Sequence, residues 1–353
     1  MTDKAANPSA AAAPAGAANP SAAAATGATA APAPAAAQPA APSSKAPEPT
    51  APSPAAPSPA PSAAAAAAPA AAPDPRLAQL HRVMLMMLKD FAALCEKEGL
   101  RWYAAFGTAI GALRHAGFVP WDDDIDLYMP RTHLDRLVQA AQQGRFAQRY
   151  CVVNASLDAR YPLATTRVML RGTEFRDEAL ASMDFESGIF LDLFPLDDLA
   201  DDERAFRRQA WRAWLYNKLA IAKATRRPYV AGPPVRVAVL RAGAACMRGL
   251  LKLPGLRAID FNRRSLVWQT RHAGQPTRRV GYLCDTSRFW DVYAREDFEP
   301  ARMVPFEDTA VPLPRQAEKM LEALYGDFMT PPPENLRHEH YPHVLDFGPY
   351  ANL

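Results

Sequence analysis

The sequence predicts an α+β fold, in which a mixed sheet is flanked by helices and carries a helical insert. Strand-like and helix-like segments alternate from about residue 76 to residue 200. From about 201 to 272 the pattern is helical throughout, and short strands return after it. Strands and helices that are interleaved in this way form layered domains, with helices covering a sheet.

The first 73 residues differ in composition from the rest of the chain. They are almost entirely Ala, Pro, Ser, Thr and Gly, with no large apolar side chain after Met1. Such a segment cannot bury enough apolar surface to offset the entropy of ordering, and its prolines interrupt helices. We therefore predict a disordered Ala/Pro-rich tail at 1–73 and one domain at 74–353, with the helical insert at about 201–272.

The first elements of the domain follow from their local patterns. Residues 76–98 repeat apolar positions at helical spacing and stop at Gly99, which predicts a long helix. Residues 100–106 are typical of a buried strand, and Thr108 starts a short helix that Gly117 is expected to close. The segment "DIDLYM", residues 124–129, alternates acidic and apolar residues. It therefore predicts a strand with one solvated face and one buried face.

The remaining elements complete the α+β pattern. A helix is predicted at 131–144, and strands at 150–155, 165–170 and 188–196. The insert is predicted to hold three helices, at 201–224, 233–255 and 257–272. Strands at 280–284 and within 303–314 then precede a closing helix at 315–328.

The acidic strand is the first candidate for chemistry. Its period of two places Asp124 and Asp126 on one face. Two ionised carboxylates side by side repel each other unless a cation neutralises them, and oxygen ligands of this type suit Mg²⁺ or Mn²⁺. Asp122 and Asp123 either cap the preceding turn or add negative potential. The alternative is a solvated acidic loop, since a single D-x-D motif is weak.

Two further features favour a metal and phosphate site over that alternative. Gly107 and Thr108 lie between a strand and a helix, where backbone amides and the helix dipole attract phosphate. Asp192 lies among apolar residues in the middle of a predicted strand, where an unpaired carboxylate is costly. It either completes a three-carboxylate cluster with Asp124 and Asp126 or forms a buried salt bridge, for which Arg167 is a candidate partner.

These motifs together resemble the LicD family. "GTAIGALRHAGFVPWDDDIDLYMPR" is similar to the family's signature block, "FLDLFPLD" to its second block, and "VPFEDTAVPLP" with "LEALYGDFMTPPPENLRHEH" to its C-terminal block. The similarity extends over about residues 80–345 and is weakest across the helical insert. It implies a mixed sheet of the nucleotidyltransferase (polymerase-β-like) type, shared with phosphorylcholine transferases of bacterial surface glycans and, more distantly, with fukutin-type proteins.

The resemblance implies transfer of a phospho-alcohol from a CDP-activated donor to a sugar hydroxyl, with CMP leaving. Gly107 and Thr108 would hold donor phosphate, Asp124 and Asp126 would bind Mg²⁺ or Mn²⁺, and Asp192 would be the third acid and accept the proton of the acceptor. Further candidate phosphate contacts are Arg114, His115 and Arg167. Glu307, Arg337, His338 and His340 are weaker candidates for the pocket lining.

The sequence departs from the family pattern at two places. Many relatives have a second glycine before the Gly-Thr pair, where this chain has Phe106. Many also have Phe-Glu-Gly where this chain has Phe306, Glu307 and Asp308, so no role is assigned to Asp308.

Composition limits the classes of binding partner and indicates the cellular compartment. A net charge of +3 argues against general nucleic-acid binding. Four widely spaced cysteines fit a reducing cytoplasm, and no segment resembles a secretory signal or a membrane span. In the helix at 233–255, Arg241, Arg248 and Lys252 lie together on the helical wheel. The opposite side holds Leu240, Met247, Leu250 and Leu251, with Val239 and Cys246. Such a helix either lies on an anionic membrane or packs on the core of the domain. In the first case the protein would be peripheral at the inner face of the membrane.

Three functions remain open. The first is the phospho-alcohol transferase acting on a surface glycan such as lipopolysaccharide or capsule. The second is a nucleotidylyltransferase in which the acceptor attacks the α-phosphate. The third is a non-catalytic glycan- or membrane-binding protein that keeps the fold. A binding protein would not need the Gly-Thr pair, the D-x-D motif and a third acid together.

Overall fold

The computed structural model describes residues 74–146, 148–176, 185, 187–225, 234–285, 289–334, 337 and 342–353, with backbone alone at 234–236. All of these residues belong to one compact unit, Pro69–Leu353. The predicted disorder of 1–73 lies outside the described residues. Eight helices are described: α1 Pro75–Glu98, α2 Phe106–His115, α3 Arg131–Gln142, α4 Glu203–Ala224, α5 Pro234–Leu251, α6 Pro254–Arg257, α7 Phe261–Gln269 and α8 Ala317–Tyr325.

The described strands number eleven. They are β1 Tyr103–Ala104, β2 Asp126–Pro130, β3 Tyr150–Val153, β4 Thr166–Leu170, β5 Glu174–Arg176, β6 Phe190–Leu199, β7 Arg279–Tyr282, β8 Asp291–Ala294, β9 Arg302–Phe306, β10 Thr309–Leu313 and β11 Val344–Asp346. The α+β class is therefore confirmed. Sequence patterns missed β5, β8 and β11, which are short and lie next to turns.

The main sheet is mixed and is organised around β6. Five strands follow the order β1-β2-β6-β4-β3, and β7 and β8 extend the sheet from the far half of β6. The β2–β6 pair is parallel, whereas the other pairs of this sheet are antiparallel. The ten-residue strand β6 thus pairs with β2 and β4 through its first half and with β7 through its second half.

Helix α1 supplies much of the core beneath this sheet. Asp74 caps its first turn by accepting a hydrogen bond from the Arg76 amide, and Gly99 ends it with a φ of 60°. A left-handed residue at this position favours glycine, because a side chain there is strained. The buried face of α1 includes Leu80, Met87 and Phe91, as the helical spacing predicts.

Helix α2 begins and ends differently from the prediction. It starts at Phe106 rather than Thr108, and its left-handed C-cap is Ala116, with a φ of 52°, rather than Gly117. Gly117 is needed for another reason, since a Cβ there would collide with the Glu307 carboxylate. That carboxylate accepts a hydrogen bond from the Phe118 amide at 3.0 Å.

Strand β2 is also more deeply buried than its alternating sequence predicts. It begins at Asp126, so Asp124 lies in the preceding loop. Leu127, Tyr128 and Met129 are all buried. The predicted solvated face is therefore wrong beyond Asp126, because Tyr128 packs beneath α2 rather than facing water.

Four helices, α4, α5, α6 and α7, lie between β6 and β7. Among the described residues, no helix is both long enough and apolar enough to cross a bilayer.

Candidate active site

Two parallel strands bring the predicted acids together. Asp126, the first residue of β2, is in register with Asp192 on β6. Residues paired in this way project from the same face of a sheet, and neighbouring strands lie about 4.8 Å apart. Asp192 is also paired with Arg167 across the antiparallel β4–β6 ladder. The three charged side chains therefore share one face of the sheet.

Arg167 and Asp192 form the buried salt bridge that the sequence left open as an alternative. The Arg167 Nε and Nη2 atoms both lie 3.4 Å from Asp192 Oδ2. The guanidinium also stacks on the Phe190 ring, with its carbon 3.6 Å from the ring centroid. Arg167 is only 5% exposed. The structure thus places it as a counter-ion to the acids within the sheet.

Three consecutive acids form the loop that leads into β2. Ligand oxygens of Asp122, Asp123 and Asp124 all lie within 4.8 Å of one another. The sequence favoured Asp124 over its two predecessors, whereas the structure brings all three together. The Asp122 carboxylate lies against Gly107, where any Cβ would collide with it. Gly107 is therefore required to admit Asp122 beside the first turn of α2.

Charge repulsion within this cluster changes proton affinities. Burial, followed by the charges of Asp124, Asp192 and Asp122, raises the pKa of Asp126 well above its ordinary value, while Arg167 opposes the shift. Burial, followed by the charges of Asp124 and Asp123, raises the pKa of Asp122. Both effects favour a bound proton or a cation over a set of bare carboxylates.

The first turn of α2 adjoins the acids. The Thr108 hydroxyl accepts a hydrogen bond from the Asp126 amide at 2.9 Å, which ties the helix to the start of β2. The N-cap residue is Ala105, whose methyl group cannot accept hydrogen bonds from the first-turn amides. Phe106 has a φ of 43°, in the left-handed region. The backbone here therefore has the geometry that glycine favours, although the residue is phenylalanine.

A cationic group lies on the other side of the acidic loop. The guanidinium groups of Arg114 and Arg337 lie over the Trp121 ring, with their carbons 5.6 Å and 4.4 Å from the centroid. Arg114 donates hydrogen bonds to the Phe328 carbonyl at 2.6 Å and to His115 Nε2 at 2.9 Å. Burial, then the charge of Arg337, lowers the pKa of Arg114, while Asp122 opposes this shift. Arg114 and Arg337 thus form a cationic pair beside the acids.

Two positions near the acids were missed by sequence reasoning. His81 on α1 donates a hydrogen bond from Nε2 to the Asp122 carbonyl at 2.7 Å and stacks on Phe118. These two contacts attach the acidic loop to α1. Tyr325 at the end of α8 has its pKa raised by burial and then by the charge of Asp126. Neither residue lies in a motif whose spacing points to the acids, so no local signal identified them.

The weaker candidates have other roles or lie outside the described residues. Glu307 is used to fix the loop after α2. Asp308 forms an exposed ion pair with Lys89. His338 and His340 are outside the described residues.

A separate cleft of about 1330 Å³ lies at the opposite ends of β2 and β6. Its charged residues are paired among themselves and with neighbours, as in Arg131 with Asp197 and Arg295 with Asp198. The acids at 122–126 and 192 do not line it.

Comparison with known proteins bears directly on this arrangement. Residues 99–203 match the family model described as LicD/FKTN/FKRP, nucleotidyltransferase domain. This segment of the chain belongs to the LicD family. The matched segment contains the α2 turn, the acidic loop, Arg167 and Asp192. The LicD match ends at the start of the insert, so α5, α8 and Arg337 lie outside it.

Curated relatives support the same assignment. The chain is 32% identical over 128 residues to the lipopolysaccharide cholinephosphotransferase LicD of Haemophilus influenzae, covering 36% of this chain and 47% of that protein. It is also 29% identical over 70 residues to the uncharacterized protein RP689 of Rickettsia prowazekii, covering 19% and 26%. The chain thus spans about half the length of the first relative and less of the second.

Proposed function

We propose that this LicD-family protein transfers a phospho-alcohol group, phosphocholine or a close analogue, from a CDP-activated donor to a hydroxyl of a cell-surface glycan. Lipopolysaccharide or capsule is the proposed acceptor. The cholinephosphotransferase activity named for the Haemophilus influenzae relative supports the class of reaction. The observation that carries the proposal is the in-register pairing of Asp126 with Asp192, next to the carboxylates of Asp122–Asp124 and the first turn of α2.

The donor set fits a hard divalent cation. Carboxylate oxygens from one loop lie close together, and like-charge repulsion within the set favours neutralisation. We assign Asp124, Asp126 and Asp192 as ligands of Mg²⁺ or Mn²⁺, with Asp122 adjoining them. When bound, the ion would neutralise the negative charge that builds up on the diphosphate of the donor.

The cationic residues and helix α2 are proposed to bind the donor. We assign the amides and the positive dipole end at Gly107 and Thr108 to the phosphate of the donor. Arg114 and Arg337 would contact the diphosphate from the opposite side, with His115 held against Arg114. Since Arg114 and Arg337 repel each other, an anion between them relieves an existing cost.

Asp192 is proposed to accept the proton of the attacking hydroxyl. The bond between the acceptor oxygen and the phosphorus of the phospho-alcohol forms, and the bond from that phosphorus to the oxygen of CMP breaks. Arg167 holds one Asp192 oxygen within the sheet, so the carboxylate has a fixed orientation for this transfer. In phosphoryl transfer, positioning and charge neutralisation carry most of the rate.

The reaction products separate this proposal from the nucleotidylyltransferase alternative. The purified chain is incubated with CDP-choline labelled in both halves, Mg²⁺ and a lipopolysaccharide acceptor. Release of CMP with label on the glycan supports phospho-alcohol transfer. Release of phosphocholine with CMP on the glycan supports the alternative. Absence of metal-dependent turnover with any of a panel of CDP-alcohols supports a non-catalytic protein.

The proposed location follows from the substrates. A nucleotide-activated donor is available in the cytoplasm, and a lipid-linked acceptor glycan is held at the membrane. We therefore propose a cytoplasmic protein that works peripherally at the inner face of the membrane.

A further inference from the structure

Helix α5 of the insert has one anchored side and one outward side. Leu251 is buried with Ala220 and Phe261, in a small apolar cluster that joins the helix to α4 and α7. Val237, Ala244 and Arg248 are half-buried and share the side of Leu251 at helical spacing. The remaining side chains of the helix from Ala238 onward are exposed.

The outward side of α5 is apolar. Val239 is 65% exposed and Leu250 is 49% exposed, and both lie with the exposed Cys246 within about 40° on the helical wheel. Leu240 and Met247 form an exposed flank, at 46% and 43%. Of the predicted apolar side, Leu251 therefore packs on the core, whereas the other members are exposed. Exposed apolar side chains clustered on one face mark an interaction surface.

Most of the insert carries basic residues without acidic ones. Residues 204–259 contain 13 Lys and Arg and no Asp or Glu. The chain has 40 basic and 37 acidic residues, so the rest of it carries 27 basic and 37 acidic residues, a net charge of −10. The small net charge of the whole protein thus hides a strongly basic insert on an acidic domain.

We propose that the outward face of α5 docks in the plane of an anionic lipid bilayer. Val239, Cys246 and Leu250 would enter the boundary between headgroups and acyl chains. Arg241 and Lys252 are exposed on the opposite edge of the helix, about 160° and 140° from Val239 on the helical wheel, and their long side chains would meet lipid phosphates above the apolar layer. The outward face of α5 would then be the membrane-facing side of the enzyme. This proposal rests on the proposed function only for the reason why the protein binds a membrane.

An anionic bilayer fits both properties of this surface. Nucleic acid would satisfy the basic residues but would not bury a row of aliphatic side chains. A protein groove would bury the aliphatic row without requiring a segment of 56 residues that is free of acids. Only an anionic interface combines an apolar layer with a negative surface at the same depth.

Vesicle binding by the full-length protein, with no donor present, tests the proposal. The probes are sucrose-loaded vesicles of phosphatidylcholine alone and of phosphatidylcholine mixed with phosphatidylglycerol, at low and high salt. We expect sedimentation with the anionic vesicles to exceed that with neutral vesicles by about tenfold or more at low salt, and to weaken with salt.

Cys246 provides a direct report of insertion. Cys95 and Cys284 are buried, and Cys151 is half-buried. In a Cys151→Ser background, an environment-sensitive dye on Cys246 should shift to the blue and be protected from an aqueous quencher when anionic vesicles are added. A dye that stays accessible to the quencher in vesicle-bound protein overturns the proposed orientation.

Two double variants and one control separate the apolar and charged contributions. Val239→Ser with Leu250→Ser should lower vesicle binding about tenfold or more, and Arg241→Gln with Lys252→Gln should do the same at low salt. Met303→Ser with Met329→Ser removes exposed apolar side chains elsewhere and should leave binding unchanged. All sites are exposed, so thermal unfolding should be unaffected in each variant.

Three outcomes would overturn the proposal. These are failure of the wild type to bind anionic vesicles, binding that survives loss of both Val239 and Leu250, and equal binding to short DNA duplexes that is insensitive to those two substitutions. Catalysis is scored separately, on detergent-dispersed acceptor. A protein that turns over there but ignores vesicles refutes the membrane face alone, and one that binds vesicles without turnover refutes the enzyme alone.

Discussion

Asp126 and Asp192 lie side by side because β2 and β6 run parallel and in register. Each comes from a different part of the chain. Arg167 on the next strand forms a salt bridge with Asp192, and its charge also partly offsets the raised pKa of Asp126. The two acids therefore repel each other but depend on this counter-ion to different degrees. This difference separates the effects that their substitutions should have on stability.

Asp126→Asn and Asp192→Asn should each lower turnover by about a hundredfold or more, since both carboxylates are assigned to the metal. Their effects on stability without metal should differ. Asp126→Asn removes repulsion and should leave the melting temperature unchanged or higher. Asp192→Asn leaves Arg167 buried without its partner, which should cost on the order of 3 kcal/mol.

Thermal unfolding in a chelator and turnover with Mg²⁺ check both statements. Asp308→Asn, at an exposed acid paired with Lys89, is the matched control and should change neither quantity appreciably. Equal destabilisation by the two active-site variants would contradict the assigned roles of Arg167 and Asp126.

Gly107→Ala should impair catalysis more than folding. The added methyl group would collide with the Asp122 carboxylate, which is the end of a movable side chain. We expect Asp122 to be displaced, with a loss of turnover of about tenfold or more and a stability change within about 1–3 kcal/mol.

Gly243→Ala is the control for Gly107→Ala, because nothing lies within 4 Å of a Cβ at that position in α5. It should keep full activity and raise helix stability by up to about 1 kcal/mol. Full activity in Gly107→Ala would show that Asp122 need not lie against the α2 turn.

Arg114→Gln and Arg337→Gln should each raise the KM for the CDP-activated donor by about tenfold, and binding should become less sensitive to salt. Isothermal titration with CDP in the presence of Mg²⁺ measures the change directly. Arg278→Gln removes a side chain that is 87% exposed and should leave donor affinity unchanged. An unaltered donor affinity in both active-site variants would remove the cationic pair from the donor site.

Ala116→Gly should stabilise the protein. Ala116 is exposed and has a φ of 52°, where a non-glycine residue is strained by about 1 kcal/mol. The expected gain is about 1 kcal/mol in the free energy of unfolding, measured with denaturant. Ala245→Gly, at an exposed position inside α5, should have the opposite sign, with a loss of about 0.5–1 kcal/mol.

Asp291 should make stability depend on pH. Burial raises its pKa from 3.8 to about 7, although the Tyr128 hydroxyl donates a hydrogen bond to it at 2.6 Å. Between these values the folded state binds the proton and the unfolded chain does not, so unfolding free energy falls as pH rises through this window. The loss is about 1.4 kcal/mol per pH unit and is complete near pH 7, at about 4 kcal/mol.

Asp291→Asn removes this titration while keeping an oxygen that accepts from Tyr128. The difference in unfolding free energy between wild type and variant should therefore change with pH between about 4 and 7, in favour of the variant at the higher pH. Denaturant titrations across this range measure it. A difference that is constant with pH would mean that Asp291 ionises normally.

Local sequence information was sufficient for the elements with a strong pattern. Helix α1 with its Gly99 stop, the helices of the insert and the long strand β6 all depend on propensity and spacing within one segment. The acids of the loop and Asp192 could be identified as candidates because their residue types and neighbours are unusual.

Contacts between distant segments were decided only by the tertiary structure. The sequence left Asp192 with two alternatives, and the β4–β6 register paired it with Arg167 while the β2–β6 register placed it beside Asp126. His81 and Arg337 reach the acidic loop from opposite ends of the domain. The apolar residues of α5 have the same sequence whether they face the core or solvent, and the packing of the side that carries Leu251 determines which of them face outward. Residue types and their spacing can be read from one segment of the sequence. The register of a strand and the rotation of a helix about its axis depend on which distant surfaces pack together.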